Sequence, residues 1–180
     1  MSFLKRFSTS DLIIITVLVS LGIAVKPVVG PLSKLISTPL GIPGGSFAGG
    51  FYMMWLVLAV CIVNKRFTGT LFGVLQAILV LMIGMAGKQG AFSLVSYTLP
   101  GVVADLVFWL LGKPHKLGTH LSLCALANIT GSVVTGLFFF RMPGVMVGVN
   151  VAFSLASGIV GGYLAYGIYQ AIYAQRILVK

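Results

Sequence analysis

The sequence predicts an all-α membrane protein of six transmembrane helices, and three observations carry that prediction. Only two acidic residues, Asp11 and Asp105, occur among 180, and there is no Glu. Hydrophobic residues make up 58% of the chain and charged ones 8%, with a mean hydropathy of +1.10, where soluble domains run at about 45–50% apolar and 25% charged. The apolar runs between the twelve Lys and Arg residues reach the roughly 20 residues that a helix needs to cross the hydrocarbon core.

On that length rule the spans fall at 11–29, 46–64, 67–87, 91–112, 118–140 and 145–173. Short links part them and no composition break divides the chain, so residues 1–180 form one integral membrane domain. The first span follows Lys5 and Arg6 but no small-residue cleavage site comes after it, so it reads as a permanent helix and not a signal peptide. The links Asn64-Lys65-Arg66, Gly87-Lys88-Gln89-Gly90, Gly112-Lys113-Pro114-His115-Lys116 and Arg141-Met142-Pro143-Gly144 have the composition of tight turns. The segment 30–45 differs. It holds Pro31, Pro39 and Pro43 with Gly30, Gly41, Gly44 and Gly45, too broken for a helix and too apolar for a wet loop. It is expected to be a long irregular loop folded back over the helix ends, where protein satisfies its amides.

Charge sets the orientation. With the N-terminus inside, the cytoplasmic ends carry Lys5, Arg6, Lys65, Arg66, Lys113, Lys116, Arg176 and Lys180, and the opposite side carries Lys26, Lys34, Lys88 and Arg141. An excess of Lys and Arg inside predicts both termini cytoplasmic and the proline-rich segment outside. A net charge of +10 that is scattered between apolar runs, not gathered on one face, points to phospholipid and away from nucleic acid.

Polar side chains inside spans are costly and have a purpose. Gln76, Asp105 and Asn128 each lie roughly 10–15 Å from the cytoplasmic helix ends at 1.5 Å per residue, so one layer is expected to hold all three. That layer reads either as the polar floor of a cavity or as an interhelical clasp; for Asp105, a structural pairing at the inner end is the favoured reading. The outer half gathers Tyr52 and Trp55 on one face of span two, Lys88 and Gln89 beside span three, Ser96 and Tyr97 in span four, and Asn150 and Ser154 in span six. Aromatic rings with convergent amides suit a flat, partly polar heterocycle, and an interfacial aromatic belt is the alternative for Tyr52 and Trp55. Small residues recur at Ser154, Gly158, Gly161, Gly162 and Ala165, a spacing that lets helices approach closely. Ser20 and Ala24 in span one form a shorter stripe of the same kind.

Cys61 and Cys124 stand apart inside apolar runs and read as packing. His115 and His120 fall in or beside a cytoplasmic loop and read as solvated. No Walker loop, zinc motif or nucleophile elbow is present, so neither an enzyme nor a bound cofactor or metal is expected.

Over nearly its whole length, and most specifically over 49–109, the chain resembles the substrate-binding S components of energy-coupling factor transporters, the vitamin-uptake systems of bacterial and archaeal cell membranes. Phe51-Tyr52-Met53-Met54-Trp55, the Lys65-Arg66 turn, residues 69–76 and Pro100-Gly101-Val102-Val103-Ala104-Asp105 look most like the thiamine-precursor (hydroxymethylpyrimidine) members, except that Gln76 stands where an acid is expected. The resemblance implies a subunit that captures a vitamin or precursor outside, with Tyr52, Trp55, Gln76, Lys88, Gln89, Tyr97, Asn128 and Asn150 as candidate binding residues. It further implies a membrane scaffold and two ATPase subunits as partners, docked against Ser20 and Ala24, with 30–45 as a lid. Two other classes stay open: a stand-alone ion-coupled transporter or channel using Asp105, and an assembly subunit that binds no small molecule.

Overall fold

The computed structural model describes residues 6–39 and 44–175, the side chains at 87 and 88 excepted. Helix α1 (Thr9–Ala24) starts in a reciprocal cap, in which Asp11 N–H donates to Ser8 Oγ at 3.3 Å and Ser8 N–H donates to Asp11 Oδ2 at 2.7 Å, so two otherwise orphaned donors are satisfied. Asp11 also pairs with Lys65, which ties the start of α1 to the link between α3 (Gly44–Val63) and α4 (Thr68–Met82). The remaining helices are α5 (Ser93–Leu111), α6 (Leu117–Val134) and α7 (Gly144–Ala174), with a 3₁₀ turn over Gly87–Phe92 and a π-helical turn over Thr135–Phe139.

The expected irregular loop is the first correction. Most of its described part is helical: α2 (Lys26–Ser37) follows α1 at a bend of 44°. Pro27 lies in its first turn, where a missing N–H has no helical partner to lose, and Pro31 removes one internal hydrogen bond without ending the helix. The gain is an amphipathic element. Ser33 and Ser37 are buried, whereas Val28, Leu32, Leu35 and Ile36 are exposed, a polar-inward pattern suited to a lipid exterior. The rest of the expected loop includes residues 40–43, which lie outside the described residues.

Span counting is the second correction. Among the described residues four helices, Gly44–Val63, Gln89–Leu111, Leu117–Phe139 and Gly144–Ala174, are long and apolar enough to cross a bilayer, and the bent pair of α1 and α2 counts as a fifth when taken as one broken span. The third expected span, 67–87, is helical only over the 15 residues Thr68–Met82. That length rises about 22 Å against a hydrocarbon core of about 30 Å. The helix stops there because the chain turns at Gly84, whose φ is 75°.

Helix α3 is the centre of the bundle: 67% of its apolar window is buried, against 22% for the windows of α5 and α7. Its contact with α7 is backbone against backbone. A Cβ on Gly161 would stand 2.1 Å from the carbonyl oxygen of Gly50, and one on Gly50 would stand 1.8 Å from that of Ser157. The small-residue stripe of α7, Ser154, Gly158, Gly161, Gly162 and Ala165, is buried throughout. Cys61 and Cys124 are free and buried, as packing residues are.

His120 corrects a third expectation, that of a solvated loop residue. It lies on α6 with no exposed surface, its ring 5.3 Å from that of Tyr166 and 5.1 Å from that of Tyr169. His115 is exposed and meets the Tyr169 hydroxyl at 3.1 Å.

Candidate functional site

At the end of the bundle away from the Lys65 turn, α2 packs against α3 and shares a cavity wall with α4, α5 and α6. These elements enclose a cavity of about 430 Å³, within the range of about 300–1,000 Å³ for small-molecule sites. Five of the eight candidate binding residues line it together: Tyr52 from α3, Gln76 from α4, Gln89 from the 3₁₀ turn, Tyr97 from α5 and Asn128 from α6. Ser46, Ser96 and Ser132 add hydroxyls to the wall. The π-helical turn that ends α6 brings Thr135 to the same space, a backbone irregularity often found at functional sites.

Asn128 is both wall and clasp. Its Nδ2 donates to the Ser154 carbonyl at 2.8 Å, and its Oδ1 occupies the room left by Gly49, where a Cβ would stand 1.8 Å away. Asn150 does not line the cavity. It is fully buried one layer behind, hydrogen-bonded to the Ser46 hydroxyl and donating to the Ser132 carbonyl at 3.1 Å, so it holds two wall residues in place.

Trp55 is also off the wall. It shares the general direction of Tyr52 but lies one turn deeper, where α1 covers it: a Cβ on Gly22 would meet Trp55 Cδ1 at 3.4 Å and Gln76 Nε2 at 3.5 Å. Its indole Nε1 is buried without a hydrogen-bond partner among the described residues. The Lys88 side chain lies outside the described residues.

Among the wall residues that sequence reasoning missed is Lys26. Counted as a boundary charge, it opens α2 and its ammonium is buried, with no hydrogen-bond partner among the described residues. It stands 4.0 Å from the ring centroid of Tyr97 and 5.9 Å from that of Tyr52, a cation–π arrangement. The signal was available: Lys26 falls inside the expected first span, 11–29, not beyond its end.

Asp105 does not join Gln76 and Asn128, so the single polar layer is the fourth correction. It lies at the opposite end of the bundle, where its carboxylate accepts from Gly69 N–H at 2.8 Å, Thr70 N–H at 2.7 Å and the Thr70 hydroxyl at 2.6 Å. The residue before α4 is Phe67, in a left-handed conformation and offering no side-chain cap. Asp105 supplies that cap from α5, placing negative charge at the positive end of the α4 dipole. A second cavity, of about 420 Å³, borders Asp105, Lys65, Arg66 and Trp109 at this end, but the one carboxylate in its wall is already committed.

Ser20 and Ala24 are exposed on α1 beside Ile13, Val17 and Leu21. Ser20 Oγ donates to the Thr16 carbonyl at 2.9 Å, so the hydroxyl is satisfied within the helix and the stripe presents a small, largely apolar outer face.

No curated protein and no solved structure matches the chain. The family model described as the permease component of the ABC-type cobalt transport system matches residues 10–134, from α1 through α6, and so takes in Lys26, the five candidate residues on the wall and the exposed stripe of α1; the chain belongs to that family and is a membrane component of an ABC-type transport system.

Proposed function

We propose that this chain is the substrate-capture subunit of an energy-coupling factor type ABC transporter, holding a vitamin or vitamin precursor and handing it on while docked to a membrane scaffold and two ATPase subunits. The observation that carries the reading is the cavity itself: rings from Tyr52 and Tyr97 and amides from Gln76, Gln89 and Asn128 converge on one space. A flat heterocycle uses such a wall, its faces meeting aromatic rings and its edge nitrogens the amides. The sequence resemblance favours a thiamine precursor as the first class to test.

Bare cobalt ion suits the wall less well. Among the described residues, those lining the cavity include no Asp, Glu, His or Cys, and two lysines oppose a divalent cation where borderline metals take imidazole, thiolate or carboxylate. The ion-coupled alternative draws little support from Asp105, whose carboxylate already accepts three hydrogen bonds as a helix cap. Placing the cavity on the outer side rests on the charge asymmetry of the links.

The purified chain is expected to bind one small organic molecule per copy and to move nothing across proteoliposomes by itself. Uptake should require ATP together with the scaffold and both ATPase subunits. Substrate flux through the chain alone, driven by an ion gradient, would overturn this reading.

A further inference from the structure

Lys26 lines the cavity without an acidic partner among the described residues. The chain has two acidic side chains, and both are engaged at the other end of the bundle, Asp11 with Ser8 and Lys65 and Asp105 with Gly69 and Thr70. The Lys26 ammonium is buried with no hydrogen-bond partner among the described residues and meets ring faces only. Removing an ammonium from water costs more than one or two ring faces return. A second lysine, the exposed Lys34, borders the same space, and two cations on a wall without acids make it electropositive.

Resting on the substrate-capture reading above, we infer that the molecule taken by this cavity carries an anionic group, a carboxylate or a phosphate, which pairs with the Lys26 ammonium. The same wall disfavours a cationic cargo such as thiamine itself, which would face two like charges. Lys34, exposed and on the rim, draws the anion in; Lys26, buried, holds it. A phospholipid headgroup has the same chemistry, but it would meet the exposed Lys34 at the surface, whereas the Lys26 ammonium is buried. The occupant is therefore a water-soluble acid.

The test is equilibrium dialysis of the protein in phosphatidylcholine nanodiscs against a water-soluble metabolite extract. The extract is supplemented with nicotinate and nicotinamide, pyridoxal and pyridoxal 5′-phosphate, and thiamine and thiamine monophosphate. Mass spectrometry identifies what the protein retains and whether its anion is a carboxylate or a phosphate. The wild type should retain a compound that is anionic at neutral pH. Lys26→Met should hold it roughly thirtyfold more weakly or worse, the loss expected when one partner of a buried charge pair is truncated, while Lys26→Arg keeps most of the affinity.

Without added compounds, Lys26→Met should melt no lower than the wild type, because it removes an uncompensated buried charge. A neutral or cationic retained compound sinks this inference and leaves the capture reading standing. So does undiminished affinity in Lys26→Met, or a bound phospholipid with no water-soluble acid. Should the wild type retain nothing at all, the capture reading falls first and the inference with it. If Lys26→Met does not fold, the charge of the retained compound and the affinity of Lys26→Arg decide the matter.

Discussion

Single side chains divide into those that touch the cavity and those that hold it up, and the two groups should fail differently on truncation. Tyr97 lines the cavity and carries the Lys26 ammonium on its ring. Tyr97→Ala should weaken binding by about 1–3 kcal/mol, the range for removing a packed aromatic anchor, read by dialysis. Trp55 is half-buried between α1 and Gln76 and off the wall. Trp55→Ala should cost about 2–3 kcal/mol of stability, somewhat under the figure for a fully buried aromatic, yet leave affinity within about threefold; a large affinity loss in a stably folded Trp55→Ala protein would return it to the site. Asp105→Ala leaves two backbone donors of α4 without an acceptor, and thermal unfolding should show a loss of about 3 kcal/mol with binding unchanged. Full stability in that variant, combined with lost transport, would revive the ion-coupled alternative.

At the scale of elements, α1 has two faces with different tasks. Ile15, Leu18, Val19, Gly22 and Ile23 are buried, whereas Val17, Ser20, Leu21 and Ala24 are exposed. A small-residue face lets a partner helix approach closely, so the double variant Ser20→Trp, Ala24→Trp should abolish ATP-driven uptake and co-purification with the scaffold while ligand affinity stays at the wild-type level. Normal uptake by that variant would remove α1 as the docking face. The crossing of α3 and α7 is the converse case, an internal contact with no room to spare: Gly161→Val should prevent folding, because its side chain would enter the backbone of Gly50.

For the molecule as a whole, we propose from the charge asymmetry of the links that both termini are cytoplasmic and the cavity opens outward. Cys61 and Cys124 are both buried, so a cysteine introduced at an exposed position reports without interference from them. Lys65→Cys and Lys113→Cys should react with an impermeant thiol reagent only from the cytoplasm, and Lys34→Cys only from outside. Labelling of Lys34→Cys from the cytoplasm would invert the topology and with it the direction of capture.

Sequence determined the class of this protein because composition and run length are properties of the chain alone: an apolar stretch of membrane-spanning length needs no neighbours to be recognised. It also placed the helix boundaries of α3, α5 and α7, and of α6 together with its π-helical turn, to within a few residues and put Tyr52, Gln76, Gln89, Tyr97 and Asn128 among the candidates that share the cavity. Tertiary structure decided what depended on partners far along the chain. That the proline-rich segment runs on as α2 follows from the lipid exterior it presents, and that Asp105 caps α4 follows from the approach of Gly69 and Gly101, where a Cβ on either would collide with the other's carbonyl. Trp55 and Asn150 left the wall, and Lys26 entered it, for one reason: helical periodicity says which residues share a face, but only the packing of α1 and α2 over α3 says which part of that face is covered and which part opens on a cavity.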